Sequence, residues 1–171
     1  MKIEQNKDKD NSIYNVLRII RGTTVDGPGL RTSIYLAGCS HHCTGCQNPQ
    51  SWDENNGVHM SLDEILRIVE EEDFNVTLSG GDPLNNPLLA KKLIKALKNN
   101  RRNVWVYTGY TWENIIANPV LFDAIRNADI LVDGPFIEAL KDLDLPFRGS
   151  SNQRLIDIQA SIASNSVVLY N

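Results

Sequence analysis

Cysteine is scarce in this sequence of 171 residues and occurs only as Cys39, Cys43 and Cys46. An odd number of closely spaced cysteines makes a poor disulfide framework, because one thiol is left over and no long loop is closed. The scarcity therefore argues against a secreted, disulfide-stabilised protein. It favours a reducing compartment in which the three thiols bind a metal.

Long apolar runs and blocks of basic residues are also missing. No stretch approaches the roughly 18 apolar residues that span a bilayer, so we expect no membrane segment. The formal net charge is -4 and there is no Lys/Arg stripe, so we do not expect nucleic acid as a partner. Residues 1–10 are polar and lack the apolar run of a signal peptide. We expect a cytoplasmic protein with a disordered polar N-terminus at residues 1–12 and a single domain at 13–171.

Predicted strands alternate with predicted helices along the chain. β-branched and aromatic runs predict strands at residues 12–20, 31–37, 74–78, 104–107 and 129–132. Apolar periodicity and capping residues predict helices after Ser61, over 87–99 and from Thr111, with a break at Pro119. This alternation is typical of βαβ units and a mainly parallel α/β sheet. A complete eight-fold barrel needs about 250 residues, so we expect four to six strands in a partial, open parallel β/α barrel.

The unusual residues follow the predicted strands directly. They are the cysteine loop at 39–46, the segment Gly80, Gly81 and Asp82, and the pairs 108–109 (TG) and 133–134 (DG). In parallel sheets the carboxyl ends of the strands meet at one edge, where ligands bind. The sequence therefore predicts that these four loops form one site.

The spacing of the thiols suggests what this site holds. Three thiolates leave a tetrahedral metal one ligand short, or a four-iron cluster with one iron unclaimed by protein. Zinc completed by His41 or His42 is an alternative, although zinc sites more often gather their ligands from two separated pairs. The position of the loop after a strand favours the cluster.

The C-x3-C-x2-C spacing resembles the signature of the radical S-adenosylmethionine superfamily. The resemblance implies that Cys39, Cys43 and Cys46 hold a [4Fe-4S] cluster whose fourth iron is chelated by S-adenosylmethionine. An electron from the cluster then cleaves this cofactor to a 5′-deoxyadenosyl radical. Gly80, Gly81 and Asp82 resemble the glycine-rich element that receives the cofactor's ammonium group, although the superfamily more commonly has Glu where Asp82 stands.

Residues 39–48 resemble one particular family within this superfamily. The superfamily usually has an aromatic residue where this chain has Gly45. The form C-x-H-x-C-x-G-C-x-N is similar to the activating proteins of anaerobic ribonucleotide reductases. The resemblance covers residues 13–158 and includes residues 25–29 with Arg31, 78–84, 105–110, 131–134 and 148–153.

Membership of that family implies an activity, partners and further contacts. The radical would remove a hydrogen atom from a glycine of a large anaerobic ribonucleoside-triphosphate reductase and leave a glycyl radical. No cysteine remains for a second cluster, so the electron would come from an external flavodoxin or ferredoxin. Gly45, Cys46 and Gln47 would contact the cofactor, and Thr108 with Asp133 would bind a monovalent cation. The roles of Arg31, His41, His42 and residues 148–153 stay open, and Trp52 is interpreted as a shield beside the cluster.

Other functions are compatible with the same residues. The chain could activate another glycyl-radical enzyme, such as one of the pyruvate formate-lyase type, or act on a small molecule in making a deazaguanine base. A protein of a different class, a zinc-stabilised binding module without catalysis, is a further alternative.

Overall fold

The computed structural model describes residues 11–170. The predicted disorder of the N-terminus falls mainly on residues 1–10, which lie outside this part of the chain. Seven strands are present in the described part: β1 (Ile13–Thr23), β2 (Arg31–Leu36), β3 (Val58–Ser61), β4 (Asn75–Gly80), β5 (Val104–Tyr107), β6 (Ile130–Asp133) and β7 (Arg154–Asp157). The α-helices are α1 (Leu62–Glu72), α2 (Pro87–Asn99), α3 (Trp112–Ala117), α4 (Pro119–Ile125) and α5 (Ile158–Ser164).

The strands form one mixed sheet in the order β3-β1-β2-β4-β5-β6-β7. Strands β2, β4, β5 and β6 pair in parallel, whereas β1 with β2, β1 with β3, and β6 with β7 pair antiparallel. The α/β class is confirmed, but the expected number of four to six strands is wrong. The two missed strands have four residues each, and β3 is largely exposed, so neither carries a clear periodic pattern.

The helices begin where the capping residues predict. Ser61 and Glu64 form a capping box at the start of α1, whose buried side chains are Leu62, Ile65 and Val69. Helix α2 has the predicted bounds, and the side chain of Asn86 accepts a hydrogen bond from its first turn. The apolar faces of these helices are buried against the sheet. Each helix therefore connects two parallel strands across one face of the sheet.

The predicted break at Pro119 is also confirmed. Thr111 caps α3, and the chain then becomes extended at Asn118. The Asn118 side chain accepts hydrogen bonds from the backbone N–H groups of Val120 and Leu121 at the start of α4. Pro119 occupies the first position of α4, where a missing N–H costs nothing.

Both faces of the sheet are covered near its centre. Val104 and Val106 of β5 belong to the main core under the helices, whereas Trp105 packs on the opposite face with Ile130 and Val132. Phe147 contacts Trp105 on that face, with ring centroids 5.6 Å apart. Among the described helices, none has both the length and the apolar character that a membrane span requires.

Candidate metal centre

The strand-end loops meet around one cavity of about 220 Å³. Its walls include the three cysteines, Ser79 near the end of β4, and residues from the loops after β4, β5 and β6 and before β7, namely Gly81, Thr108, Gly109, Gly134, Gly149 and Gln153. The four loops predicted to lie at one edge of the sheet are thus together in the structure. Because β7 runs antiparallel to β6, it adds residues 148–153 to the same edge.

Backbone hydrogen bonds fix the cysteine loop to its surroundings. The N–H of Gly38 donates to Ser51 O at 2.8 Å, and the N–H of Cys39 donates to Trp52 O at 3.2 Å. Within the loop, the N–H of Cys46 donates to Cys43 O at 3.1 Å. The Asn48 side chain donates to Gly80 O at 3.1 Å and so joins this loop to the end of β4.

All three thiols are free and partly buried. Burial raises the pKa of Cys39, while hydrogen bonds from the backbone amides of His41 and His42 act in the opposite direction. The N–H of Asn48 donates to Cys46 Sγ at 3.4 Å. Backbone amides therefore already surround two of the sulfurs with donors that favour the thiolate, which is the metal-binding form.

The arrangement of the thiols bears on the choice between zinc and a cluster. Within residues 11–170, no group of three or more His, Cys, Asp or Glu side chains converges as the ligands of one metal ion do. The cysteines instead border a shared cavity. Three thiols around one cavity are compatible with a four-iron cluster, in which each thiolate would bind a different iron.

Gly80 and Gly81 allow the chain to pack closely on itself. Gly80 has φ of +110°, and a Cβ on it would lie 2.3 Å from Leu36 N. A Cβ on Gly81 would lie 2.3 Å from Gly38 O. These glycines therefore let the end of β4 lie directly against the start of the cysteine loop. Gly81 also lines the cavity, where its missing side chain leaves the backbone accessible.

The carboxylate of Asp82 is 2% exposed and lies directly behind residues that line the cavity, namely His41, Thr108 and Gly109. Its Oδ2 accepts hydrogen bonds from the Thr108 hydroxyl and the Gly109 N–H, each at 2.9 Å, and its Oδ1 accepts one from Leu84 N at 2.8 Å. His41 Nε2 lies 2.8 Å from Oδ2, but the geometry of the N–H does not make a hydrogen bond. Asp82 thus connects the loops after β2, β4 and β5.

Thr108 and Asp133, the predicted cation ligands, each have a protein partner. The Thr108 hydroxyl donates to Asp82, as described above. Asp133 is 1% exposed and accepts hydrogen bonds from Trp112 N at 2.8 Å and from Arg154 Nε at 3.1 Å. Of these two, Thr108 lines the cavity.

The remaining predicted contacts lie on the cysteine loop. Gln47 and Cys46 line the cavity. Gly45 has φ of +72°, and a Cβ there would lie 2.6 Å from the Glu138 side chain. Gly45 thus allows the loop to turn beneath residues that follow β6.

Gln153 is a structural contributor that the sequence did not single out within residues 148–153. Its Oε1 accepts hydrogen bonds from Gly149 N at 2.9 Å and Ser150 N at 3.2 Å, while its Nε2 donates to Gly134 O at 3.0 Å. This side chain therefore holds two walls of the cavity together. The signal available in the sequence was only a polar run, which does not separate a bridging residue from a solvated one.

Comparisons with known proteins agree with this site. Residues 25–156 match the family described as a 4Fe-4S single cluster domain. The anaerobic ribonucleoside-triphosphate reductase-activating protein of Escherichia coli K12 is 34% identical over 140 residues, which cover 75% of this chain and 89% of that protein. The proteins of the same name from Haemophilus influenzae and Enterobacteria phage T4 are 32% and 31% identical, over 81% and 82% of this chain and 95% and 92% of theirs.

A solved structure shares the fold. QueE from Escherichia coli aligns with a TM-score of 0.52 and 16% identity, over 71% of this chain and 70% of that one. At this identity the likeness concerns the fold alone. The alignments with the sequence relatives cover most of both chains, and residues 25–156 match the cluster domain, so this chain belongs to the family of anaerobic ribonucleoside-triphosphate reductase-activating proteins.

Proposed function

We propose that this protein activates an anaerobic ribonucleoside-triphosphate reductase by forming a glycyl radical in it. The observation that carries the proposal is the set of three free, partly buried cysteines that border one cavity at the carboxyl edge of the parallel strands. Membership of the activating-protein family gives this site its substrate, which is a backbone glycine of the large reductase.

Each cysteine has a separate task in holding the cluster. Cys39, Cys43 and Cys46 supply three thiolate ligands and leave one iron for S-adenosylmethionine. The amides at His41 and His42 stabilise the Cys39 thiolate and so lower the cost of placing negative charge in a partly buried loop. The bound groups supply reductive cleavage of S-adenosylmethionine and the hydrogen abstraction that follows.

The cofactor contacts are part of the same proposal. Gly81, Cys46 and Gln47 border the cavity and are its nearest candidates, with Gly45 and Gly80 shaping the backbone on either side. For the cofactor's ammonium group to meet Asp82, it has to reach the carboxylate beside its donors Thr108 and Gly109. For a monovalent cation to bind Thr108 and Asp133, Asp133 has to share its carboxylate with Arg154.

The Asp82→Asn variant separates the two possible tasks of this carboxylate. If Asp82 contacts the ammonium, the loaded protein binds S-adenosylmethionine about 10-fold or more weakly, since a hydrogen bond to a charged group contributes about 1.5–3 kcal/mol. If Asp82 only joins the loops, thermal stability falls and affinity per folded molecule stays the same. Calorimetric titration combined with thermal unfolding distinguishes these outcomes.

The overall architecture and surroundings are proposed in the same way. We infer that residues 13–171 form one radical S-adenosylmethionine domain whose sheet curves as an open, partial barrel. The covered second face of the sheet and the likeness to QueE support this. The protein would work in the cytoplasm, with a flavodoxin or ferredoxin as the external electron donor.

Formation of the radical in the partner tests the proposal directly. The reconstituted protein is mixed without oxygen with the large reductase subunit, S-adenosylmethionine and reduced flavodoxin, and electron paramagnetic resonance is recorded. We expect a glycyl doublet in the reductase and release of 5′-deoxyadenosine. A loaded protein that releases 5′-deoxyadenosine yet leaves the reductase without this doublet would show that its substrate is different.

The rival functions give different results in the same assay. An activase of another glycyl-radical enzyme would produce the doublet in a formate-lyase type partner and not in the reductase. A zinc-stabilised module would stay colourless after anaerobic reconstitution with iron and sulfide. It would also release no 5′-deoxyadenosine.

A further inference from the structure

The cavity wall contains an indole N–H that has no acceptor among the described residues. The indole of Trp52 lines the cavity, and its Nε1 is buried without a hydrogen-bond partner among residues 11–170. Leaving a buried donor unpaired costs about 1–3 kcal/mol. Native proteins rarely keep such a group without a reason, so the donor suggests a ligand that is not part of the polypeptide.

Trp52 is held firmly beside the cysteine loop. Its backbone O accepts a hydrogen bond from Cys39 N at 3.2 Å, and its own N–H donates to Pro49 O at 3.2 Å. Its ring lies against His42, with centroids 4.7 Å apart and planes inclined by 44°. The indole is therefore fixed relative to the thiols, and its position does not depend on a flexible loop.

Three other donors in the cavity wall have protein partners. His41 Nε2, which also makes no hydrogen bond, lies 2.8 Å from the carboxylate of Asp82. The Tyr107 hydroxyl donates to Phe147 O at 2.6 Å, and the Gln153 amide donates to Gly134 O at 3.0 Å. The Thr108 hydroxyl donates to Asp82. Trp52 differs from these residues because nothing in the described chain accepts its N–H, although it borders the same space as three sulfur ligands.

We propose that the Trp52 indole N–H donates a hydrogen bond to a sulfur of the bound iron–sulfur cluster and thereby raises the cluster's reduction potential. This inference rests on the cluster part of the proposed function and needs neither the reductase nor S-adenosylmethionine. Reduction adds negative charge to the cluster, and the sulfurs carry part of it. A donor at a sulfur therefore stabilises the reduced form more than the oxidised form. Trp52 thus makes the cluster easier to reduce by an external donor.

The Trp52→Phe variant tests the hydrogen bond while keeping an aromatic ring in place. Both proteins are reconstituted without oxygen, and the potential of the cluster is followed by redox titration with visible absorbance and electron paramagnetic resonance. At the wild-type midpoint, we expect the ratio of reduced to oxidised cluster to fall about 10-fold in the variant, which corresponds to about 59 mV for one electron. Iron content per protein should stay the same.

Tyr107→Phe is the matched control. Tyr107 also lines the cavity and also loses one polar hydrogen in the change, but its hydroxyl already donates to Phe147 O. Its midpoint should equal that of the wild type. An unchanged midpoint in Trp52→Phe at full cluster content, or an equal shift in Tyr107→Phe, would overturn the proposal.

A measurement on the unaltered sequence decides the matter if Trp52→Phe does not hold a cluster. Protein with ¹⁵N in every indole is loaded with cluster and reduced, and pulsed electron paramagnetic resonance is recorded without S-adenosylmethionine. Trp105 and Trp112 lie outside the cavity wall, so a ¹⁵N coupling identifies Trp52. Absence of this coupling, or its appearance only after S-adenosylmethionine is added, would contradict a bond to the cluster. Failure of the reductase assay alone would leave this result intact.

Discussion

Buried polar side chains are hydrogen-bonded differently at the two edges of the sheet where the parallel strands begin and end. At the amino edge, Arg31 is 1% exposed, and its guanidinium donates to Thr77 Oγ1 at 2.7 Å and to Val76 O at 2.6 Å. It also lies over the Trp105 ring, 5.2 Å from the centroid. Burial lowers the pKa of Arg31 to about 10, so the side chain still carries its charge at neutral pH. This cation joins β2 to β4 and packs against β5.

At the carboxyl edge, several buried polar side-chain atoms have no hydrogen-bond partner among the described residues. Seven buried side-chain polar atoms lack a partner among residues 11–170, and four of them belong to this edge, in His41, Trp52, Arg148 and Asn152. The others are two hydroxyls within β2 and one nitrogen of Arg102. Of these four, His41 and Trp52 line the cavity, and His41 Nε2 lies against Asp82. The comparison teaches that a buried charge with hydrogen-bond partners indicates stability, whereas an unpartnered donor beside a cavity, such as the Trp52 indole, points to a ligand.

The largest effects should follow removal of the thiols at the carboxyl edge. Cys39→Ala, Cys43→Ala and Cys46→Ala should each reduce cluster content and 5′-deoxyadenosine release more than about 100-fold, because even residues that only support metal ligands contribute about 10- to 100-fold. Iron analysis, visible absorbance and product assay measure this. Thr44→Ala is the control, since Thr44 is exposed in the same loop. A cysteine variant that retains its cluster would show that the three thiols are not all ligands.

Backbone packing at the same edge gives the next largest effect. Gly80→Ala places a Cβ against the backbone of Leu36 and should lower the free energy of unfolding by about 3–5 kcal/mol. Gly29→Ala is a matched control, because Gly29 also has a positive φ but has open space around it. This change should lower the free energy of unfolding by only about 1 kcal/mol. Denaturant unfolding of both variants without metal measures the difference. Equal losses would mean that φ alone, and not the contact with β2, requires Gly80.

At the amino edge, Arg31→Met should affect stability and leave the chemistry unchanged. The change leaves the acceptors at Val76 and Thr77 without their donor and should lower the free energy of unfolding by about 3 kcal/mol. Specific activity per bound cluster should equal that of the wild type. Normal stability combined with lost activity would instead make the amino edge a second functional region.

The smallest effect concerns an exposed ion pair beside the carboxyl edge. Hydrogen bonding to Arg154 lowers the pKa of Glu113 below its usual 4.5. A carboxyl with a lowered folded-state pKa stabilises the protein above pH 4.5 and loses that contribution as the pH falls through the lowered value. Glu113→Gln should therefore lower the free energy of unfolding by about 0.5 kcal/mol at pH 7. It should leave this free energy unchanged at pH values below the lowered pKa. Unfolding of the metal-free protein at several pH values checks this. A constant difference at all pH values would exclude the ionic contribution.

Local patterns predicted much of the fold. Helix α2 and the cap of α1 at Ser61 were predicted as observed, because capping and apolar periodicity act within a few residues. Strands β3 and β7 were missed, because strands of four residues are defined mainly by the neighbours with which they pair. At the site, the cysteine loop could be found from its spacing. Gln153 and the unpaired Trp52 could not, because their roles depend on groups distant in sequence.

The sequence by itself determined the family, the alternation of the main strands and helices, and the three cysteines that are proposed as ligands. These properties depend on short-range spacing and residue type. Only the tertiary structure decided that Asp82 accepts hydrogen bonds from Thr108 and Gly109, that Arg154 donates to Asp133, and that Trp52 has a donor without an acceptor among the described residues. The physical reason is that hydrogen-bond satisfaction depends on which loops meet at the edge of the sheet, and only folding brings those loops together.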